Sequence, residues 1–207
     1  MRPVLISAGA TRNPVDAIRY LSAHASGRTG VEIGRALQAR GAAVRLLGSP
    51  EACLRAEGGL PTEPYGSTRD LMARMLTWLQ AHPDGVVIHS AAVGDYEVQA
   101  ADDKLPSGRE ELVLRLRPTP KILDALKPAA PGCRVVSFKA ASPETTGDGL
   151  VQIARAQLRR TGSDLVFANT IGQLGTTATL VDADDATAYA DRGAAITALI
   201  ERVRGWL

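Results

Sequence analysis

Five short, almost uninterrupted apolar runs recur along this chain of 207 residues: Pro3–Ser7, Ala43–Leu47, Val86–Ser90, Arg134–Phe138 and Asp164–Ala168. A strand that is apolar on both sides has to be covered on both faces, and a parallel sheet held between two helical layers provides that cover. Segments of helical period separate the runs, at Thr29–Arg40, Thr68–Ala81, Lys121–Leu126, Gly149–Arg160 and Arg192–Trp206. Gly41 and Gly162 stand where helix-ending glycines belong. The alternation predicts an α/β fold, Rossmann-like and doubly wound around a mostly parallel sheet, with residues 1–207 forming one domain. Two segments break the rhythm. Glu111–Arg117 alternates apolar and charged residues, so it is expected as a strand with one solvated face in an antiparallel flap or extension. Ala178–Tyr189 reads as a hairpin turning at Asp184–Asp185.

Composition removes several functional classes. The net charge of +2 is spread over mixed-sign segments and aromatic residues make up 4% of the chain, so no nucleic-acid platform is expected. No apolar run is long enough to cross a bilayer, and the run after Arg2 turns polar too soon for a signal peptide, which gives a cytoplasmic expectation. Cys53 and Cys133 lack any Cys or His partner pattern and read as packing residues. The acidic tip at Asp184–Asp185 lacks calcium-loop spacing, so no metal site is expected there.

Ligands of an open α/β sheet bind beyond the carboxyl ends of the strands, near the point where strand order reverses. After the first strand lies a loop rich in Gly, Ser, Thr and Arg that runs into a helix near Thr29. Its N–H groups, hydroxyls and guanidinium groups suit an anion. The polar residues expected to converge on one cleft are Thr11, Arg12, Asp16, Arg19, Ser22, Ser26 and Arg28 after the first strand. Ser90, Ala91, Ala92, Asp95 and Lys104 join them after the third strand, Phe138 and Lys139 after the fourth, and Asn169 after the fifth. The small side chains of Ser90–Gly94 allow either a flat ligand or a helix to approach the backbone closely. No Gly-x-Gly-x-x-Gly fingerprint, P-loop or nucleophile elbow is present, which disfavours a nicotinamide or flavin oxidoreductase, a P-loop kinase and an α/β-hydrolase. His82 ends a helix as a solvated cap. A histidine base would have to be His24 or His89.

Read together, Ala8–Asp16, Ile18-Arg19-Tyr20, Ser26–Gly30, Ser90–Asp95 with Lys104 following, Thr119–Leu123, Ser137–Lys139 and Asp164–Asn169 resemble the phosphopantothenate–cysteine ligase family of coenzyme A synthesis. In many bacteria that family forms the C-terminal domain of a bifunctional flavoprotein; the chain is similar to its stand-alone form. The resemblance implies a two-step ligation. The carboxylate of 4'-phosphopantothenate attacks the α-phosphate of CTP (or ATP), with Mg2+, and cysteine then displaces the nucleotide. It further implies that Gly9, Thr11, Arg12, Asp16, Arg19, Ser26, Gly27, Arg28 and Asn169 hold the acid. Ser90, Ala91, Ala92, Asp95, Lys104, Pro120, Lys121, Ile122, Leu123 and Phe138 would hold the nucleotide, with Lys104, Arg19 and His24 closest to the chemistry. A homodimer and a separate flavin-dependent decarboxylase are the implied partners; a non-catalytic nucleotide- or phosphometabolite-binding relative is the alternative. The chain departs from the family pattern at Ala23, where an asparagine serves the acyl-nucleotide, with His24 beside it as a stand-in. It departs again at Gln157 and Thr161, where lysines stand near the triphosphate and Arg155, Arg159 and Arg160 are the candidate replacements.

Overall fold

The computed structural model describes residues 1–108, 110–173 and 175–207. In chain order the elements are β1 (Val4–Ala8), β2 (Arg12–Pro14), β3 (Tyr20–Ser22), α1 (Arg28–Gln38), β4 (Val44–Gly48), α2 (Pro50–Ala56), β5 (Thr62–Pro64), α3 (Thr68–Ala81) and β6 (Val86–His89). They continue with β7 (Tyr96–Glu97), β8 (Arg117–Pro118), α4 (Ile122–Ala129), β9 (Arg134–Ala141), α5 (Gly147–Thr161), β10 (Leu165–Thr170), β11 (Ala178–Val181), β12 (Ala186–Tyr189) and α6 (Arg192–Arg204). Eight strands form one sheet in the order β12-β11-β10-β9-β6-β1-β4-β5. β5 through β10 of that order run parallel, and β11 and β12 add antiparallel pairings at one edge. The five apolar runs form the five central strands, and the fold is the expected Rossmann-like α/β arrangement.

Adjacent residues of β1 serve opposite layers, as the two-residue period of a strand demands. Ile6 packs with Ile33 and Leu37 of α1 and Leu199 of α6, whereas Leu5 packs with Leu71, Met75 and Leu79 of α3 and Leu126 of α4. α5 covers β10 through Leu150 and Ala154 against Val166 and Ala168. From β1 the chain steps outward through β4 and β5, then crosses back to build β6, β9 and β10 on the other side. Strand order therefore reverses between β1 and β6, and the carboxyl ends of those two strands open the crevice where such sheets bind ligands.

One expected element does not form. Of Glu111–Arg117, only Arg117 enters a strand, in the two-residue pairing of β7 with β8. The side chains of Leu112, Val113, Leu114 and Leu116 are 44, 70, 38 and 49% exposed. Alternating polarity describes a surface that a strand can bury, but a strand also needs a neighbour to saturate its backbone, and β7 offers only two residues. The antiparallel extension comes instead from β11 and β12, whose hairpin closes at Asp182–Asp185 as expected from the sequence.

α1 reaches the switch point because Gly30 lets it lie directly on β1. A Cβ at Gly30 would stand 2.6 Å from the Ala8 Cβ and 2.7 Å from the Ser90 Oγ. Gly30→Ala is thus an overpacking substitution, expected to cost about 1–3 kcal/mol. Urea denaturation should show a lower midpoint at unchanged slope.

Candidate active site

Two cavities open at the carboxyl ends of β1 and β6. The first, of 430 Å3, is lined by His89, Ser90, Ala91, Ala92 and Asp95 after β6, by Pro120, Lys121, Ile122 and Leu123 at the start of α4, by Phe138 and Lys139 of β9, by Gln157 and Arg160 of α5 and by Asn169 of β10. The second, of 540 Å3, is lined by Gly9, His24, Ser26, Gly27, Arg28, Thr29 and Gly30 around the start of α1, and by Arg192 at the start of α6. Ser90 lines both. The expected nucleotide set other than Lys104 thus gathers in one cavity, and Gly9, Ser26, Gly27 and Arg28 of the expected acid set gather in its neighbour. The single cleft anticipated from the sequence is divided in two.

The dividing wall is hydrogen-bonded throughout. The Ser90 hydroxyl donates to the Ser7 carbonyl at 2.7 Å, pinning β6 to β1. With its amide set to satisfy both neighbours, Asn169 donates to the Lys139 carbonyl at 3.3 Å and accepts from the Arg192 guanidinium at 3.0 Å. Arg192 also donates to Thr29 Oγ1 at 3.0 Å and lies over the Phe167 ring, 4.9 Å from its centroid. Phe167 in turn stacks on Phe138, centroids 4.9 Å apart, so the wall of the first cavity and the cation of the second are packed as one unit. Desolvation lowers the Arg192 pKa, with Glu32 opposing it. Sequence reasoning did not single out Arg192. Its one local signal is a cation in the first turn of a helix, where the dipole disfavours positive charge.

Several expected site residues lie elsewhere. Thr11 is buried, accepting from the Gly94 N–H and the Thr68 hydroxyl at 2.9 and 3.1 Å, and so ties β1 to the segment after β6. Arg12 pairs with Glu51, lies over the Tyr20 ring and lines a smaller cavity of 350 Å3 shared with Ala23, His24 and Ser26. Arg19 bonds the Asp16 carboxylate at 2.5 Å and the Leu105 carbonyl at 3.2 Å. Lys104, the neighbour of Leu105, is exposed and lines neither principal cavity.

Asp16 organises this corner. Burial raises its pKa, but the N–H groups of Ile18, Leu105 and Arg19 and the Arg19 charge outweigh that effect and hold it down to about 2. An unfolded aspartate titrates near about 3.9. Between those values the unfolded chain binds the extra proton, so the stabilisation is complete above the unfolded pKa and is lost as pH falls through the folded one. The stability difference between wild type and Asp16→Asn should shrink from about pH 5 to about pH 2 in urea titrations.

The cations that line the first cavity are Lys121, Lys139 and Arg160, all of them candidates named from the sequence. Gln157 is buried and donates to Ser137 Oγ at 2.9 Å, and Thr161 is buried and donates to the Gln157 carbonyl at 2.9 Å. Neither reaches out as a lysine would. Arg155 and Arg159 face a different surface beside Asp182 and Asp184, while Arg160 lines the first cavity and pairs with Asp124. A second pair, Lys121 with Asp95, crosses the same mouth at 2.5 Å.

Residues 1–199 match the family described as DNA/pantothenate metabolism flavoprotein C-terminal domain. The chain belongs to that family. The coenzyme A biosynthesis bifunctional protein CoaBC of Thermococcus kodakarensis is 39% identical over 178 residues, which cover 83% of this chain and 42% of that protein. CoaBC of Escherichia coli is 32% identical over 181 residues, covering 82% and 41%. The chain thus spans about two fifths of the curated relatives it matches. Among solved structures, the DNA/pantothenate metabolism flavoprotein of Streptococcus pneumoniae superposes with a TM-score of 0.87 at 26% identity, covering all of both chains. The C-terminal domain of a CoaBC shares the fold, with a TM-score of 0.79 at 23% identity over 98% of this chain and 93% of that one.

Proposed function

We propose that the chain is a phosphopantothenate–cysteine ligase, residues 1–207 acting as one domain in the cytoplasm. The observation that supports this reading best is the pair of cavities meeting at Ser90, on the switch point of the sheet. A ligase that activates a carboxylate with a nucleotide must hold two anions in neighbouring pockets and let them touch at one place. The cavity around the start of α1 presents helix N–H groups and Arg192 to 4'-phosphopantothenate. The cavity at Ser90–Ala92 presents backbone groups, the Phe138 ring and the cations Lys121, Lys139 and Arg160 to a nucleoside triphosphate, CTP in the first instance and ATP in the second.

In the first step the substrate carboxylate oxygen attacks the α-phosphorus, a P–O bond forms, and the bond to pyrophosphate breaks. In the second, the cysteine amine attacks the acyl carbon; a C–N bond forms, the nucleoside monophosphate leaves, and the amine loses its proton. Lys104, on the segment that Asp16 and Arg19 hold, is the cation assigned to the phosphate as that segment folds over the cavity, with Arg19 steadying it. His24, at the mouth of the acid cavity, takes the polar role that Ala23 cannot.

Among the described residues no cluster of three or more His, Cys, Asp or Glu is present. Asp95 is the carboxylate that lines the first cavity, so a magnesium would be held there by it together with phosphate oxygens and water. Magnesium would supply neutralisation of the charge gathering on pyrophosphate. The exposed apolar segment Leu112–Leu116 is assigned to a second copy in a homodimer, and a flavin-dependent decarboxylase supplies the preceding step. No described helix is long and apolar enough to cross a membrane.

Purified protein, magnesium, 4'-phosphopantothenate and CTP or ATP, with and without cysteine, test the proposal through pyrophosphate release and product mass. Cysteine-dependent amide is the expected result. No turnover and no pyrophosphate with either nucleotide, in folded protein, would overturn the ligase. It would instead favour the non-catalytic relative, the reading that Ala23 supports. Arg160→Gln is expected to raise the KM for the triphosphate about tenfold, the size of a lost charge-assisted hydrogen bond. Arg159→Gln should leave it unchanged.

A further inference from the structure

The ligase chemistry leaves the buried imidazole of the first cavity unused. Ser7 and His89, near the ends of β1 and β6, sit side by side with Ser137 in the middle of β9, in register across the three strands. They follow directly on the apolar row Leu5, Val87 and Val135 of the same sheet face. Ser7 and Ser137 are fully buried and His89 is 5% exposed. Ser137 is satisfied by Gln157, and Ser7 by His89, whose Nδ1 lies 2.7 Å from the Ser7 Oγ.

Hydrogen-bond accounting fixes the imidazole tautomer. The Ser7 Oγ accepts from the Ala91 N–H at 3.4 Å. A fully buried hydroxyl must also donate its proton. Among the described residues, Nδ1 of His89 is the acceptor within reach. Nδ1 is therefore unprotonated, and in a neutral imidazole the proton sits on Nε2. Burial drives the His89 pKa down to about 4, so the ring is neutral at physiological pH. Nε2 has no protein acceptor among the described residues, yet no fully buried side-chain nitrogen lacks a partner. His89 lines the first cavity, so its free N–H opens into that space.

We propose that His89 is a further ligand-binding residue, whose Nε2–H donates to an acceptor atom of the nucleotide in the first cavity. Ser7 is its positioning residue, holding the tautomer that keeps this donor available. The same Ser7 hydroxyl holds the Ala91 N–H, so the donor and the backbone segment beside it are set by one group. A neutral donor suits the floor of the cavity, while Lys121, Lys139 and Arg160 supply charge nearer its mouth. The inference rests on the reading that this cavity takes a nucleotide.

The chain has three histidines, which makes 15N-histidine labelling decisive. Long-range 1H–15N spectra of wild-type protein at pH 7 should show a neutral ring protonated at Nε2 that is assigned to His89 by its loss in His89→Leu or, should that variant fail to fold, in His89→Gln. Addition of CTP or ATP with magnesium should shift that Nε2 resonance, along with the backbone amides of Ala91 and Ala92. In Ser7→Ala the ring should redistribute between tautomers, and the nucleotide dissociation constant should rise about three- to tenfold, as loss of one neutral hydrogen bond implies. Shifted Ala91 and Ala92 amides with an unmoved His89 Nε2, or a ring protonated at Nδ1, would overturn the role of His89 while leaving the nucleotide cavity standing. No shift anywhere in the cavity would overturn both.

Discussion

The close approach of α1 to β1 at Gly30 governs the rest of the active region. Because no side chain separates them, the helix begins against the ends of β1 and β6, with the Ser90 hydroxyl beneath its first turn. Its free N–H groups then face a cavity instead of lying over the middle of the sheet. The neighbouring cavity exists because strand order reverses beside β1, leaving the ends of β6, β9 and β10 open on the other side. One steric condition and one topological condition thus place two pockets edge to edge.

What separates the pockets is as informative as what lines them. Arg192 ties α6 to α1 through Thr29, to β10 through Asn169, and to the aromatic pair Phe167–Phe138. A half-buried guanidinium hydrogen-bonded to neutral acceptors and stacked on a ring, with Glu32 acting on it through its charge without a direct ion pair, retains N–H groups for an anion. The carboxylates paired with cations of the first cavity behave differently. Asp95 and Asp124 hold Lys121 and Arg160 in exposed pairs that contribute little to stability and exchange readily for a polyphosphate.

The layered sheet was legible in the sequence because strands buried on both faces leave an unmistakable apolar signature; Val4–Ala8 and Leu165–Thr170 fall within two residues of their expected limits. The hairpin at Asp182–Asp185 was legible from its acidic turn between two strand-like stretches. Short elements were not. α2 has only Ser49 and Pro50 to announce it before the Gly58-Gly59 pair, and β2 and β3 lie inside a loop whose composition spoke only of anion binding. The strand expected at Glu111–Arg117 failed because polarity alternation says nothing about whether a neighbouring edge exists. Of the site, local motifs marked Ser90–Ala92, Phe138 and the Ser26–Gly30 turn. Arg192 stayed hidden because its meaning depends on Thr29 and Asn169, which only tertiary folding brings to it. Thr11 and Asp16 carried ligand-like chemistry in the sequence, but their side chains are consumed in holding the scaffold.

The central claim is that an acid and a nucleotide occupy separate cavities and meet at Ser90. A crystal structure with 4'-phosphopantothenate and a CTP analogue that resists α-phosphate cleavage tests it directly. The account predicts the acid against the start of α1 and the nucleotide between Ala91 and Phe138, with carboxylate and α-phosphate adjacent at Ser90. Both ligands in one cavity, or reacting groups held apart on opposite sides of the Asn169–Arg192 pair, would contradict it.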